Sequence, residues 1–124
     1  MKGGHFYMYE TADEIKSRKL EEIADYQMIE VFRLLAEATD KRCLLHGRLR
    51  YLDKELLNKC VHLIMIYDNI NTITELCERL DITNITIRRL IGKNDKQTAN
   101  RLSVDKIIKA MNDLADRLEN ELNK

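Results

Sequence analysis

Residues 72–91 read TITELCERLDITNITIRRLI, and the spacing of the apolar side chains in this stretch predicts two short helices joined by a tight turn. Residues three or four apart share one face of a helix, so one small core can be closed from both helices. The residues expected in that core are Leu76 and Leu80 on the first helix, Ile82 just after the turn, and Ile87 and Leu90 on the second helix.

The turn and the two helix starts are predicted from polar residues. Thr72 and Glu75 form a Ser/Thr-x-x-Glu capping box, in which the Thr72 hydroxyl accepts a backbone N–H and Glu75 reaches back to the amide of Thr72. A connection this short needs one residue with positive φ, usually Gly, and here that position is Asp81. Asp tolerates the left-handed region better than most side chains do. Thr83 is then the N-cap of the second helix.

The outward residues of the second helix are Asn84, Ile85, Arg88 and Arg89. With its flanks, this stretch resembles the Cro/phage-repressor type of helix-turn-helix transcriptional regulators, over roughly residues 56–118. LLNKCVHLIMIYDNI resembles the family's first helix, Gly92 precedes a basic loop, and Ser103 opens a helix of the S-x-x-x-I-x-K-x-M-x-x-L kind. The sequence departs from the family pattern at three positions: Asp81 replaces the turn Gly, Cys77 the usual Ala, and Leu102 a Pro.

The resemblance implies a sequence-specific regulator that inserts its second helix into the major groove of double-stranded DNA. Asn84 then reads adenine, Arg88 or Arg89 reads guanine or holds a phosphate, and Ile85 meets a thymine methyl group. Thr72 and Thr83, at helix N-termini, suit phosphate contacts. A homodimer on a palindromic site is expected, because one small module buries little surface. The side chains expected to hold the flanking phosphates are Lys93, Lys96 and Arg101.

Composition and charge agree with a helical chain that carries a local basic region. The 124 residues include no Pro, no Trp and only four Gly, which favours an all-α helical bundle. The formal net charge is zero, with 21 basic and 21 acidic residues, so bulk charge gives no sign of nucleic acid. Residues 88–109, however, hold seven basic and two acidic side chains, whereas residues 10–40 hold four basic and nine acidic. The positive end of the sequence therefore coincides with the predicted turn and second helix.

The N-terminal part predicts one long amphipathic helix that opens with a capping box at Thr11 and Glu14 and runs to Thr39. Its stripe can pack on the chain's own core, which we favour, or form a seam with a second copy or another protein. We expect an N-terminal helical arm over residues 1–50 and a helix-turn-helix domain over residues 51–124, whose tail, Leu114, Leu118 and Leu122, can also pack on a partner. The stripe comprises Leu20, Ala24, Gln27, Val31, Leu34 and Ala38, widened by Met28, Phe32 and Leu35.

The segment between the two predicted parts is a basic link, KRCLLHGRLR, over residues 41–50. We expect Gly47 to end a short helix there, and we favour a solvated connection over a contact with a phosphate backbone. The next predicted helix runs from Tyr51 to Ile66 and is apolar over a wide arc, as a central buried helix would be.

Other functions find little support in the sequence. The three cysteines lack a C-x-x-C pair, Cys43-x-x-His46 and Cys60-x-His62 match no zinc module, and no nucleophile lies near a base, so we expect no metal, no cofactor and no enzyme. No apolar run approaches the ~20 residues of a membrane span, and a soluble cytoplasmic protein is expected. The competing hypothesis is a protein-binding adaptor, such as an antirepressor or inhibitor, that keeps the helix-turn-helix only as a scaffold.

Overall fold

The computed structural model describes residues 11–46, 48–50, 52–92 and 101–123, and within them it is built almost entirely of helices. The all-α prediction is confirmed, with one small antiparallel sheet added. In chain order the elements are α1 (Ala12–Cys43), β1 (Leu44–Leu45), β2 (Arg48–Leu49), α2 (Lys54–Tyr67), α3 (Ile73–Leu80), α4 (Asn84–Ile91) and α5 (Arg101–Leu122).

The most extensive helix contact joins α1 to α5, which run antiparallel. The Tyr26 hydroxyl donates to the backbone oxygen of Leu122 over 2.9 Å, and the Arg33 guanidinium lies 3.0 Å from Asp116 and 3.4 Å from Glu119. Leu114 is buried, and Leu118 and Leu122 pack against the core. The tail of Leu114, Leu118 and Leu122, which the sequence predicted could pack on a partner, therefore packs within the chain.

The capping box at the start of α1 is confirmed, because the Thr11 hydroxyl accepts the backbone N–H of Glu14 over 3.1 Å. The helix continues four residues beyond the predicted end, to Cys43. The predicted stripe is only partly the core face. Phe32 is fully buried, and Met28, Leu35 and Ala38 pack against the core, whereas Leu20 and Leu34 are more than half exposed. The residues of α1 that are buried are Ile29, Phe32, Ala36, Thr39 and Cys43.

The helix predicted from Tyr51 to Ile66 is α2, which begins at Lys54 because Asp53 is its N-cap, and one of its faces is buried. Among the described helices, the one with the most extensive contacts is α5, which meets all four others. The Phe32 and Tyr67 rings meet edge to face with centroids 5.3 Å apart, which joins α1 to the end of α2. One core contains buried residues from α1 through α5. The division into an arm (1–50) and a domain (51–124) stays a prediction, but the second half of α1 shares that core.

A short β-hairpin occupies the basic link where the sequence predicted the end of a short helix. Leu44 pairs with Leu49, and Leu45 pairs with Arg48, in an antiparallel register. His46 has a φ of 53°, which is the left-handed conformation that two-residue hairpin turns require. Leu44 is buried, so the hairpin is anchored to the core by one side chain.

Candidate nucleic-acid interface

The candidate site begins with α3, whose start is set by local hydrogen bonds. The Thr72 hydroxyl accepts the backbone N–H of Glu75 over 3.1 Å, as predicted. The Glu75 carboxylate accepts the amide of Asn71 over 3.3 Å, so the prediction that it reaches the amide of Thr72 is wrong by one residue. Leu76 is fully buried, whereas Leu80 is only half-buried. The core of this helix therefore depends chiefly on Leu76.

Asp81 forms the turn between α3 and α4 in the predicted conformation, with φ 55° and ψ 51°. Its carbonyl oxygen accepts a hydrogen bond from the Lys106 ammonium group, whose nitrogen also lies 3.6 Å from the Asp81 carboxylate. The amide of Ile82 donates to the Cys77 carbonyl over 3.1 Å, and the Ile82 side chain is buried. The turn is thus closed from α3, from the core and from α5.

Asp81→Gly should leave stability unchanged or raise the free energy of unfolding by up to about 1 kcal/mol, because Gly adopts positive φ without the cost that a side chain carries. The lost ion pair contributes little, since the Asp81 carboxylate is almost fully exposed. Asp81→Ala is the matched control and should be less stable than Asp81→Gly. Thermal unfolding checks both variants, and a clear fall in Tm for Asp81→Gly would contradict this account of the turn.

The next helix, α4, begins at the predicted cap. The Thr83 hydroxyl accepts the backbone N–H of Thr86 over 3.2 Å and lies 2.8 Å from the Thr86 hydroxyl. Ile87 and Leu90 are fully buried. On the opposite side, at about 100° per residue, four exposed side chains span an arc of about 140°. These residues are Asn84, Ile85, Arg88 and Arg89, and we call them the outer face of α4.

The outer face of α4 is positively charged. Within the described residues, the Arg88 and Arg89 guanidinium groups make no hydrogen bond and no ion pair. Arg88 acts on Cys77 of α3: burial raises the pKa of the Cys77 thiol, and the Arg88 charge partly offsets that rise. Ile85 is 65% exposed beside these charges. The face therefore presents cations, one amide and one apolar side chain.

The remaining predicted contacts lie outside the outer face of α4. Thr72 is exposed at the start of α3, and Thr83 at the start of α4. Arg101 opens α5 and lies 3.7 Å from Asp105 one turn later, so its charge is partly balanced. Lys93 and Lys96 lie outside the described residues. Gly92 is the C-cap residue of α4, as predicted, and its φ is negative.

One residue of the site escaped the sequence analysis. Lys106 lies 25 positions after Asp81, and its ammonium group donates to the Asp81 carbonyl oxygen in the turn. No local pattern marks it, because the contact depends on how α5 packs. A second exposed basic segment lies on the hairpin, where Arg48 and Arg50 border an open depression of about 480 Å³ with His46.

A reactive-thiol or metal site would depend on how the side chains in the described ranges are buried and grouped. All three cysteines are free thiols, and burial raises the pKa of Cys43 and Cys60. The Thr39 hydroxyl lies 3.5 Å from the Cys60 sulfur, inside the core. The described part of the chain contains no group of three or more His, Cys, Asp or Glu side chains able to hold a metal ion. Each helix in that part is too short or too polar to cross a bilayer.

The chain was compared with family models, curated proteins and solved structures. No family model matches the chain, no curated protein matches it, and no solved structure matches its fold.

Proposed function

We propose that this chain is a sequence-specific DNA-binding regulator that inserts α4 into the major groove. The observation that carries the proposal is the outer face of α4, where two arginines without an ion pair among the described residues lie opposite a fully buried apolar face. The inner side of such a helix packs on the core, and its outer side can contact DNA. A recognition helix in the major groove needs both: a buried face that fixes its position and an exposed face that contacts base edges.

The chemistry of each side chain suggests its role. The Asn84 amide can pair with the N6 and N7 edge of adenine, and the Arg88 guanidinium can donate twice to guanine. Ile85 can pack on a thymine methyl group. Arg89, about 100° around the helix from Arg88, suits a phosphate instead. Thr72, Thr83, Lys93, Lys96 and Arg101 are proposed as the other backbone contacts, and the active species as a homodimer on a palindromic site.

The salt dependence of binding tests this proposal. With Lys93, Lys96, Arg101 and one α4 arginine on phosphates, a dimer makes about eight contacts, so affinity for duplex DNA should fall about 10³- to 10⁵-fold between 50 and 200 mM salt. Fluorescence anisotropy with a labelled random duplex measures this fall. Absence of binding at 50 mM salt would overturn the proposal.

The second candidate function is a protein-binding adaptor. Two observations favour it: the formal net charge is zero, and α1 exposes the apolar side chains of Leu20 and Ile23 on either side of an acidic pair, Glu21 and Glu22. An adaptor would not be retained on DNA or heparin even at low salt. The salt titration therefore separates the two candidates.

A further inference from the structure

The first half of α1 extends beyond the rest of the bundle. Every residue from Ala12 to Ala24 is exposed except Ile15, which is half-buried. The last residue of α5, Leu122, is bonded to Tyr26, so about 20 Å of α1 lies past that end, at 1.5 Å per residue. An isolated helix of this length is marginal in water. A second surface packed on the extension would therefore stabilise it.

This part of α1 also carries a second apolar face. The buried residues of α1 occupy one side, and the line through Leu20, Gln27 and Leu34 lies about 180° around the helix from them. Leu20, Ile23 and Leu34 on this side are each more than half exposed. We call it the outer face of α1, made of Leu20, Ile23, Ala24, Gln27, Val31 and Leu34.

We propose that the outer face of α1 binds the same face of a second copy of this chain in antiparallel orientation. The inference rests on the homodimer of the proposed function and names its interface. It is tested by the mass of the protein without DNA, so its failure can be told from a failure of DNA binding. The spacing along this face alternates between three and four residues, which is the pattern of a two-helix seam. Gln27 lies at the middle of that seam, near the two-fold axis.

The charges along one edge of the outer face favour the antiparallel orientation. Lys16 and Lys19 lie on this edge near the start of α1, and Glu30 and Glu37 lie on the same edge farther along, within a sector of about 60°. With Gln27 on the two-fold axis, an antiparallel copy places Lys16 of each chain beside Glu37 of the other. The two-fold axis repeats this match, and each extension then covers Val31 and Leu34 of the other copy.

A parallel copy also joins opposite charges, because it places Lys16 beside Glu21 and Glu37 beside Arg42 of the second copy. The second of these contacts, however, competes with an ion pair inside the chain. The Arg42 guanidinium is already 3.2 Å from the Asp53 carboxylate, at the N-cap of α2. The exposed carboxylate of Glu37 lies 3.7 Å from its own Lys41 and is free to turn to a lysine of another copy.

Sedimentation equilibrium of the full chain at about 50 μM, without DNA, tests the interface. We expect twice the 14.6 kDa of one chain. L20E/I23E should sediment as a single chain that still unfolds cooperatively. The control Ile66→Glu, at a similarly exposed position on α2, should remain a dimer. A wild-type mass of 14.6 kDa, as expected if residues 1–10 or another protein cover this face, would overturn the proposal. A dimer that L20E/I23E does not disrupt would also overturn it.

The orientation is tested by exchanging charges. Lys16→Glu alone should raise the dimer dissociation constant about two- to tenfold, and K16E/E37K should restore it, because the two exchanged charges meet across an antiparallel seam. In a parallel dimer the double variant would face Glu21 and Arg42 with like charges and would be weaker than either single variant. That result would overturn the antiparallel arrangement while leaving DNA binding by α4 untouched.

Discussion

Phe32→Ala should lower the free energy of unfolding by about 3 to 5 kcal/mol, the largest loss of stability expected from one substitution in this chain. Phe32 is fully buried, and its ring meets Tyr67 edge to face. Truncation removes that contact and leaves a cavity between α1 and the end of α2 that a packed interior fills poorly. A small domain has only about 5 to 15 kcal/mol in total, so the variant should be marginally stable.

Urea unfolding of the wild type, Phe32→Ala and Ile66→Ala measures this effect. Ile66 is 65% exposed on α2, so its truncation should cost well under 1 kcal/mol. The contrast also tests which side of α1 faces the core, since Phe32 belongs to the buried side and Leu34 to the exposed one. A loss below about 1 kcal/mol for Phe32→Ala would mean that α1 packs in another phase.

Local features of the fold were predictable from the sequence. Thr11, Thr72 and Thr83 each cap a helix as expected, because a cap depends on a hydroxyl and an amide three residues away. Asp81 adopts the predicted positive φ, since a short turn leaves few alternatives. The burial of Ile87 and the exposure of Arg88 follow from helical spacing alone.

Features that depend on packing were not predictable. α1 carries apolar residues on both sides, and periodicity cannot tell which side meets α5, so the predicted stripe joined the buried Phe32 to the exposed Leu20 and Leu34. The hairpin at Leu44–Leu45 and Arg48–Leu49 is too short to show a strand pattern. The bond from Lys106 to Asp81 joins residues 25 apart and has no local signature. For the proposed site, therefore, the sequence predicts the outer face of α4 but not the contact from α5 that holds the turn before it.

The second large effect is expected on DNA binding. Arg88 lies one turn after Asn84 on the outer face of α4, so both reach the same strip of a groove. If Arg88 donates twice to a guanine, Arg88→Ala should cost about 1 to 3 kcal/mol on the preferred site and remove the preference at one base pair. Arg89→Ala should weaken binding to every sequence alike and reduce the salt slope by about one. Both side chains are exposed, so neither change should alter Tm.

The most direct measurement of the central claim compares these variants on one preferred duplex, selected by the wild type from a random pool, and on a scrambled duplex at 50 mM salt. Lys41→Ala, at the end of α1, is the control, because it removes one exposed cation on a helix that has no extensive contact with α4. We predict that Arg88→Ala binds the preferred duplex about 5- to 150-fold more weakly, with little change on the scrambled duplex, and that Lys41→Ala binds both as the wild type does. Unchanged affinity in both Arg88→Ala and Arg89→Ala would contradict DNA binding by α4.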